Sequence, residues 1–298
     1  MRRRVMDVVY KVPKLVKLSE NPGTERTYTL ERGYRYVDLL VVGGGGGGGY
    51  NSGGGGGSGT MLYVRNLIVS KLKNTTIRYN IAGESGLQED GKNTVVVIDG
   101  FSVNVPGGKR GISHGGEGGD GGSLLPQSSI DALLKYVDDN DNDIAVCSNG
   151  GGSGGYWNAN EHISHAGCSG ASTSQMGQNV SSSTAGKGVI NDDGIGGYWG
   201  GSGYIYEGGR GYRRNNTIIP LRSVFQGGGE SGAGGNRDVG VSSGSGGGAA
   251  GYQSGGNGGA TTGSHGQNGG IGAGGGGGGG NNAPGSKGGQ GIICLYYH

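Results

Sequence analysis

Apolar residues along this chain are concentrated in short runs of β type, which long tracts of glycine separate. The clearest run is Tyr34–Val42, which begins with alternating residues and ends in the continuous apolar stretch Leu39–Val42. This pattern predicts a strand that becomes buried on both faces. The run leads directly into an unbroken glycine tract, Gly43–Gly49.

Further runs rich in β-branched and aromatic residues predict the other strands. Asp99-Gly100, a pair typical of a type I′ hairpin turn, lies between two of them. The C-terminal run needs partners, so we expect it to join the N-terminal strands in one small β-framework. The predicted strands are Val8–Val12, Tyr28–Leu30, Met61–Val64, Asn66–Val69, Thr75–Ile81, Thr94–Ile98, Phe101–Val103 and Ile292–Tyr297.

One segment shows helical spacing. Ser128–Val137 has apolar residues at positions 130, 133, 134 and 137, three or four residues apart. With Ser129 as the N-cap, this spacing predicts one short amphipathic helix near 129–137. A second interruption of the glycine pattern, residues 217–225, predicts a short β or extended piece.

Composition limits what the rest of the chain can form. Glycine supplies 79 of the 298 residues, and only 31% of residues are hydrophobic, so a conventional core cannot cover the whole chain. Such a composition usually indicates disorder. However, glycines recur at every third position from Gly263 to Gly278. A polyglycine-II helix, like polyproline II, has three residues per turn, and glycine alone leaves room for such helices to pack side by side.

We therefore predict a mainly β and irregular fold. A small β-framework, formed by the N-terminal strands and the C-terminal strand, encloses packed polyglycine-II-type segments. The predicted regions are an N-terminal arm at 1–24, the β-framework with the first glycine-rich segments at 25–123, an inserted loop region with the short helix at 124–225, and a glycine-rich lattice with the closing strand at 226–298.

Net charge and the length of the apolar stretches argue against two classes of protein. The formal net charge is +2, from 24 basic and 22 acidic residues, whereas nucleic-acid binding would require a strong basic excess. No apolar stretch reaches the ~18–20 residues that a membrane-spanning helix needs, and we find no secretory signal. Neither nucleic-acid binding nor membrane insertion is expected.

Candidate catalytic and metal-binding patterns are weak. An odd, sparse set of cysteines gives no disulfide framework, and no nucleophile stands beside a base in the pattern. We therefore expect no enzyme activity and no cofactor. His162, His165 and Cys168, with Cys147 upstream, are residue types that bind zinc, but they lack the spacing of a zinc site. Asp139, Asp141 and Asp143 alternate as in a calcium-binding loop, but the other ligands of such a loop are missing.

Several segments together resemble a known family. Val37–Val42 followed by Gly43–Gly49 resembles the opening of the glycine-rich domain of bacteriophage tail-fibre, adhesin and related virion proteins. The family's closing pattern, a glycine run, a small loop and an apolar strand, matches Gly274–Gly280, residues 281–287 and Gly291–Tyr296. The resemblance covers about residues 25–123 and 226–297.

The resemblance implies a protein of the virion surface, in a fibre, tail or capsid exterior, that is made in the host cytoplasm. It implies other virion proteins and a host cell-surface glycan or protein as partners, and a homotrimer as the oligomeric state. Two alternatives remain open. One is a purely structural capsid or tail decoration protein, and the other is a bacterial surface matrix protein, which would require export.

Aromatic residues suggest where recognition occurs. The chain has 16 Tyr and 2 Trp but only 2 Phe, and Tyr and Trp suit recognition surfaces because they combine contact area with a polar group. The alternative is that these side chains close the lattice ends or fill a subunit interface. Predicted receptor-binding residues are Tyr156, Trp157, Tyr198, Trp199, Tyr204, Tyr206 and Tyr212, and predicted virion-docking residues are Arg2, Arg3 and Arg4.

Overall fold

The strands form two antiparallel sheets in a computed structural model of the chain. This architecture, with a single α-helix in the described part of the chain, confirms the prediction of a mainly β and irregular fold. The structure describes residues 11–114, 116–138, 143–158, 163–164, 166–172, 175–180, 184–189, 197–203, 205–214, 221–225, 229–236, 244–259 and 263–298.

The larger sheet joins both ends of the described chain. Its strands are β1 Lys14–Leu18, β3 Tyr36–Val42, β4 Met61–Ile68, β8 Ile144–Ser148, β11 Tyr212–Arg213 and β12 Ile292–Tyr297. They lie in the order β1-β12-β3-β4-β8-β11. The C-terminal strand β12 thus lies between two N-terminal strands, which confirms the predicted framework.

The smaller sheet contains the predicted hairpin. Its strands, in spatial order, are β2 Glu25–Thr29, β5 Thr76–Asn80, β6 Thr94–Ile98 and β7 Phe101–Val105. Asp99 and Gly100 have φ values of 50° and 80°, and a type I′ turn requires positive φ at both positions. A two-stranded ribbon, β9 Trp157–Asn158 with β10 Ile163–Ser164, lies apart from both sheets.

The predicted helix exists with different bounds. Helix α1 spans Gln127–Leu134 and begins directly after Pro126, whose carbonyl oxygen accepts the N–H of Ser129. Ser129 is therefore inside the first turn rather than the N-cap. Ile130 and Leu133 are fully buried. Short 3-10 turns occur at Val69–Lys71 and Ser223–Phe225. The second turn lies within residues 217–225, which we predicted to be a short β or extended piece. Residues 217–220 of that piece lie outside the described residues.

Apolar contacts cover both faces of the larger sheet, which explains its continuous apolar runs. One face packs against the smaller sheet and α1 through side chains such as Leu39, Val96 and Ile130. The opposite face packs against Phe225 and Tyr252. These two clusters form the conventional core of the protein, and the glycine-rich segments extend from it.

The strands differ from the predictions in three places. Lys14–Leu18, which we placed in the N-terminal arm, forms β1 at the sheet edge, where exposed Lys14 and Lys17 protect the open side. Of the predicted strand Val8–Val12, residues 8–10 lie outside the described residues, and Lys11 and Val12 are not in a strand.

Met61–Val64 and Asn66–Val69 were predicted as two strands. Instead, β4 continues through Asn66, whose positive φ of 53° accompanies a register shift.

The glycine segments form a lattice of extended chains linked by backbone hydrogen bonds. Segment 53–60 illustrates the pattern, because its successive N–H groups point in three directions that repeat every third residue. Gly54, Gly57 and Thr60 donate to segment 106–112, Gly55 and Ser58 to 149–152, and Gly56 and Gly59 to 272–275. Its carbonyl oxygens accept bonds from segments 43–49, 119–122 and 246–249. Segment 53–60 therefore has a bonded neighbour on six sides.

The predicted insertion also contributes to this lattice. Segment 149–155 follows β8 directly and shows the same threefold alternation. Its N–H groups bond to segments 198–201, 116–119 and 244–247, and its carbonyl oxygens accept from 55–58, 168–171 and Gly209. Residues 144–155, which we placed in an inserted loop region, thus supply a sheet strand and a central lattice segment.

Close approach explains why these positions are glycine. A Cβ atom on Gly56 would lie 2.1 Å from the carbonyl oxygen of Gly46, and one on Gly57 would lie 2.0 Å from that of Asp120. Backbone on a neighbouring segment cannot move away without breaking its own hydrogen bonds. At these two positions the lattice spacing therefore leaves no room for a side chain.

We predict that Gly56→Ala lowers the free energy of unfolding by at least about 3 kcal/mol, because the methyl group displaces a backbone that bonds to other segments. Gly83→Ala is the matched control. Its Cβ would meet only Pro22 Cβ at 3.9 Å, so its stability should stay near wild type. Urea unfolding of both variants makes the comparison. Equal stability of the two variants would contradict the packed lattice.

Candidate functional site

The lattice presents a loop-bearing end that lies opposite the larger sheet, and we call this end the tip. Segment 43–49 leaves β3, segment 53–60 returns to β4, and Tyr50–Ser52 join them at the tip. Ile112–His114 follow the segment that leaves β7, and Gly280–Asn282 end the longest C-terminal glycine run. Because a segment that leaves the sheets and the segment that follows it run in opposite directions, as 43–49 and 53–60 do, their connections come together at this end.

Side chains and backbone groups from these loops form one bonded cluster. The hydroxyl of Tyr50 lies 2.7 Å from Nε2 of His114, and their ring centroids are 4.6 Å apart. Asn51 Nδ2 lies 3.1 Å from Nδ1 of the same imidazole. Asn282 donates its backbone N–H to Oδ1 of Asn51 at 3.2 Å. We call Tyr50, Asn51, His114 and Asn282 the tip cluster.

Hydrogen-bond chemistry fixes the tautomer of His114. Since Asn51 Oδ1 accepts from a backbone N–H, its amide nitrogen must face His114. Nδ1 of His114 is then the acceptor, so Nε2 carries the proton of the neutral ring and donates it to Tyr50. The orientations of the Asn51 carboxamide and the His114 imidazole are therefore determined by their neighbours.

Backbone conformation adds to this order. Asn51, Ser52, His114, Asn281 and Asn282 all have φ between 54° and 65°. Asn is among the residues that adopt this left-handed conformation most readily. The tip loops therefore turn within two or three residues and leave little freedom between neighbouring glycine segments.

The predicted receptor-binding residues divide between the two ends of the lattice. Tyr156 and Tyr206 lie at the tip, with ring centroids 6.2 Å apart in an edge-to-face contact. Tyr198 lies near the larger sheet, since its carbonyl oxygen accepts the N–H of Gly150, just beyond β8. At ~3.1 Å per residue, the six residues from Gly150 to Tyr156 place the two groups roughly 19 Å apart along the lattice.

Trp199 and Tyr212 belong to the sheet end of the lattice. Trp199 is 44% exposed, and the guanidinium of Arg210 lies 5.7 Å from the centroid of its indole ring. Tyr212 begins the short strand β11 and directs its hydroxyl toward Asp120 at 3.4 Å. Arg2, Arg3, Arg4, Tyr204 and the side chain of Trp157 lie outside the described residues.

Sequence reasoning missed the whole tip cluster, although a signal was present. Tyr50-Asn51-Ser52 separates two glycine tracts, and Asn281-Asn282 follows a third. Asn residues that interrupt a regular glycine register are typical of turns with positive φ. The high Tyr and Trp content led us instead to predict the receptor-binding residues within 156–212.

A second polar cluster lies in the β-framework around Asp38. Its carboxylate is fully buried and accepts hydrogen bonds from Tyr63 Oη at 2.9 Å, from the Asn66 N–H at 2.8 Å and from Nε of Arg222. His298 Nε2 lies 3.1 Å from Asp38 Oδ1. Burial, together with the carboxylate, raises the pKa of Tyr63. This cluster ties β3, β4, the residue after β12 and the segment around Arg222 together.

The cysteines are poorly suited to chemistry. Cys147, Cys168 and Cys294 are buried free thiols, and burial raises the pKa of Cys294 to about 11. A thiol in this state is protonated and unreactive at neutral pH. Within the described ranges, no group of three His, Cys, Asp or Glu side chains could hold a metal ion. His162, His165, Asp139 and Asp141 lie outside those ranges.

Comparisons with known proteins found no match, so a function for this chain has to be argued from its structure. No protein-family model matches the chain, and a search of curated proteins found no matching relative. In the part of the chain that the structure describes, no helix has the length and apolar character needed to cross a bilayer.

We predict that Asp38→Ala lowers the free energy of unfolding by about 3–5 kcal/mol, because it leaves a partly buried guanidinium and the Tyr63 hydroxyl without their acceptor. Glu25→Ala is the control. It removes an exposed pair in which the nearest Arg78 nitrogen is 3.8 Å away, so no measurable loss is expected. Chemical unfolding separates the two variants, and a small effect of Asp38→Ala would show that the cluster is not a structural clamp.

Proposed function

We propose that this protein is a virion structural protein of a bacteriophage that attaches non-covalently to the host surface through the tip. The observation that carries this proposal is the placement of short, internally bonded loops at one end of a rigid glycine lattice, opposite the sheets. Other virion proteins would hold the framework end. The described cysteines and the Asp38 cluster offer no activated nucleophile, so a binding role is preferred over an enzymatic one.

Preorganised loops favour recognition, because little conformational entropy is lost when they bind. The tip cluster is fixed by hydrogen bonds, and its exposed members include His114 and Asn282. Ile112, which is 49% exposed, adds an apolar group beside them. Tyr, Asn and Ser provide the combination of aromatic area and adaptable hydrogen bonding that binding loops use.

A decoration protein with a purely structural role is the second candidate. Two tip aromatics, Tyr156 and Tyr206, contact each other, and Tyr50 is engaged by His114. Such pairing is also expected of side chains that close the end of a lattice against water. Host binding distinguishes the two candidates.

We predict that the purified, fluorescently labelled protein binds cells of a host that the parent phage infects, and that Ile112→Ser combined with Tyr50→Ala reduces this binding at least tenfold. The substitutions remove tip contact area while leaving the lattice glycines intact. Flow cytometry measures binding, and urea unfolding verifies that the variant remains folded.

Trp199→Ala is the matched control, since it removes an exposed aromatic side chain at the opposite end of the lattice. It should bind cells as wild type does. Failure of the wild-type protein to bind would support the decoration role. Binding lost in Trp199→Ala but kept in the tip variant would contradict the placement of the receptor site.

A further inference from the structure

A polar groove of about 560 Å³ lies on the side of the lattice, away from the tip cluster. Its floor is segment 253–257, and its walls come from segments 229–231 and 267–270. Backbone bonds hold floor and walls together: Gly255 donates to Glu230 O, and Gly270 donates to Ser254 O. The groove is therefore part of the bonded lattice, and its volume falls within the range of small-ligand sites.

The floor directs backbone donors outward. The N–H groups of Gly255 and Gly258 bond to the 229–236 segment, and those of Gly256 and Gly259 bond to the 273–280 run. In a threefold helix the remaining third of the N–H groups, here those of Ser254 and Asn257, points in a third direction. That direction is the groove.

The side-chain amides of the groove are oriented by the protein. Gln253 Oε1 accepts the N–H of Ile271 at 3.0 Å, and Asn268 Oδ1 accepts that of Lys287 at 3.1 Å. Since these oxygens are engaged, each NH₂ group is directed away from the backbone that holds it. Both side chains are exposed, so their amide donors are accessible to a ligand.

The carboxamides that link the floor to the walls are oriented in the same way, with their oxygens engaged as acceptors. Asn257 Oδ1 accepts the N–H of Ala233 at 2.8 Å, and its Nδ2 donates to Gln267 Oε1 at 2.8 Å. The NH₂ group of Gln267 therefore also remains available as a donor. Fixed carboxamide and backbone N–H groups make the groove rich in donors without adding positive charge.

The groove also contains acceptors. Glu230 is exposed and supplies the carboxylate among the lining side chains. The hydroxyl of Tyr252 donates to the carbonyl oxygen of Phe225, and this side chain is 2% exposed. A ligand would therefore meet many neutral donors, one anionic acceptor and little aromatic surface.

We propose that this groove binds an uncharged oligosaccharide that carries N-acetyl groups. The acetamido carbonyl oxygen is a strong acceptor that suits the amide donors, and sugar hydroxyl and acetamido N–H groups can donate to Glu230. An acidic sugar matches the donors equally well but places its carboxylate near Glu230. A plain neutral glucan has no carbonyl group for the donors. The site does not depend on the tip or on the attachment role.

The test titrates the full chain with N-acetylchitotriose, maltotriose and trigalacturonate, using calorimetry and ¹⁵N–¹H NMR of the side-chain amides. N-acetylchitotriose should bind at least tenfold more tightly than the other two sugars. It should also shift the NH₂ signals of Gln253 and Asn268. Equal binding of all three sugars, preference for trigalacturonate, or no binding of N-acetylchitotriose would overturn the proposal.

Isosteric variants test the donor groups without removing the bonds that hold them. In Gln253→Glu and Asn268→Asp, one carboxylate oxygen can still accept the N–H of Ile271 or Lys287, but the outward donor becomes an acceptor. Each should weaken N-acetylchitotriose binding at least tenfold and leave cell binding by the tip unchanged. Gln175→Glu, an exposed change outside the groove, is the control. Unchanged affinity in both folded groove variants would overturn the proposal.

Discussion

Close approach between glycine backbones is the constraint on which the rest of this structure depends. From Gly54 to Thr60, each N–H group reaches a neighbouring carbonyl oxygen at about 2.8–2.9 Å, and the direction changes with every residue. A net hydrogen bond contributes only ~0.5–1.5 kcal/mol, whereas ordering each residue costs ~1–2 kcal/mol. One such helix would therefore be unstable. Bonding on six sides, with one end of the segment fixed by strand β4 and the other by a hydrogen-bonded tip loop, makes the ordered state favourable.

The framework and the lattice have complementary roles. The sheets contain most of the large apolar side chains and set the spacing at which β3, β4, β8 and β12 continue into glycine segments. The lattice transmits that spacing to the tip, where short loops carry the polar groups. Where a segment lies at the side of the lattice, the third of its backbone N–H groups that points outward is exposed. Recognition by the tip and by the lateral groove would thus use different surfaces of one rigid body.

Sequence patterns predicted much of the framework, because apolar runs and turn residues act locally, but they missed strands β1 and β8. Asp99-Gly100 determines its own turn, and the runs at Val37–Val42 and Ile292–Tyr297 are long enough to indicate buried strands. The glycine register indicated extended helices but not which segments are neighbours, since identical glycines carry no information about pairing. Residues 149–155 could not be placed in the lattice for this reason. Orientation of Asn51 and Asn268 depends on backbone donors far along the chain.

Amide hydrogen exchange at single-residue resolution tests the lattice most directly. We predict that the N–H groups of Gly55, Gly56 and Gly57 exchange only through global unfolding, because each is bonded inside the lattice. The outward N–H groups of Ser254 and Asn257 should exchange much faster in the same sample. Exchange of Gly55–Gly57 at the rate of an unfolded chain, with the sheets still protected, would contradict an ordered glycine lattice.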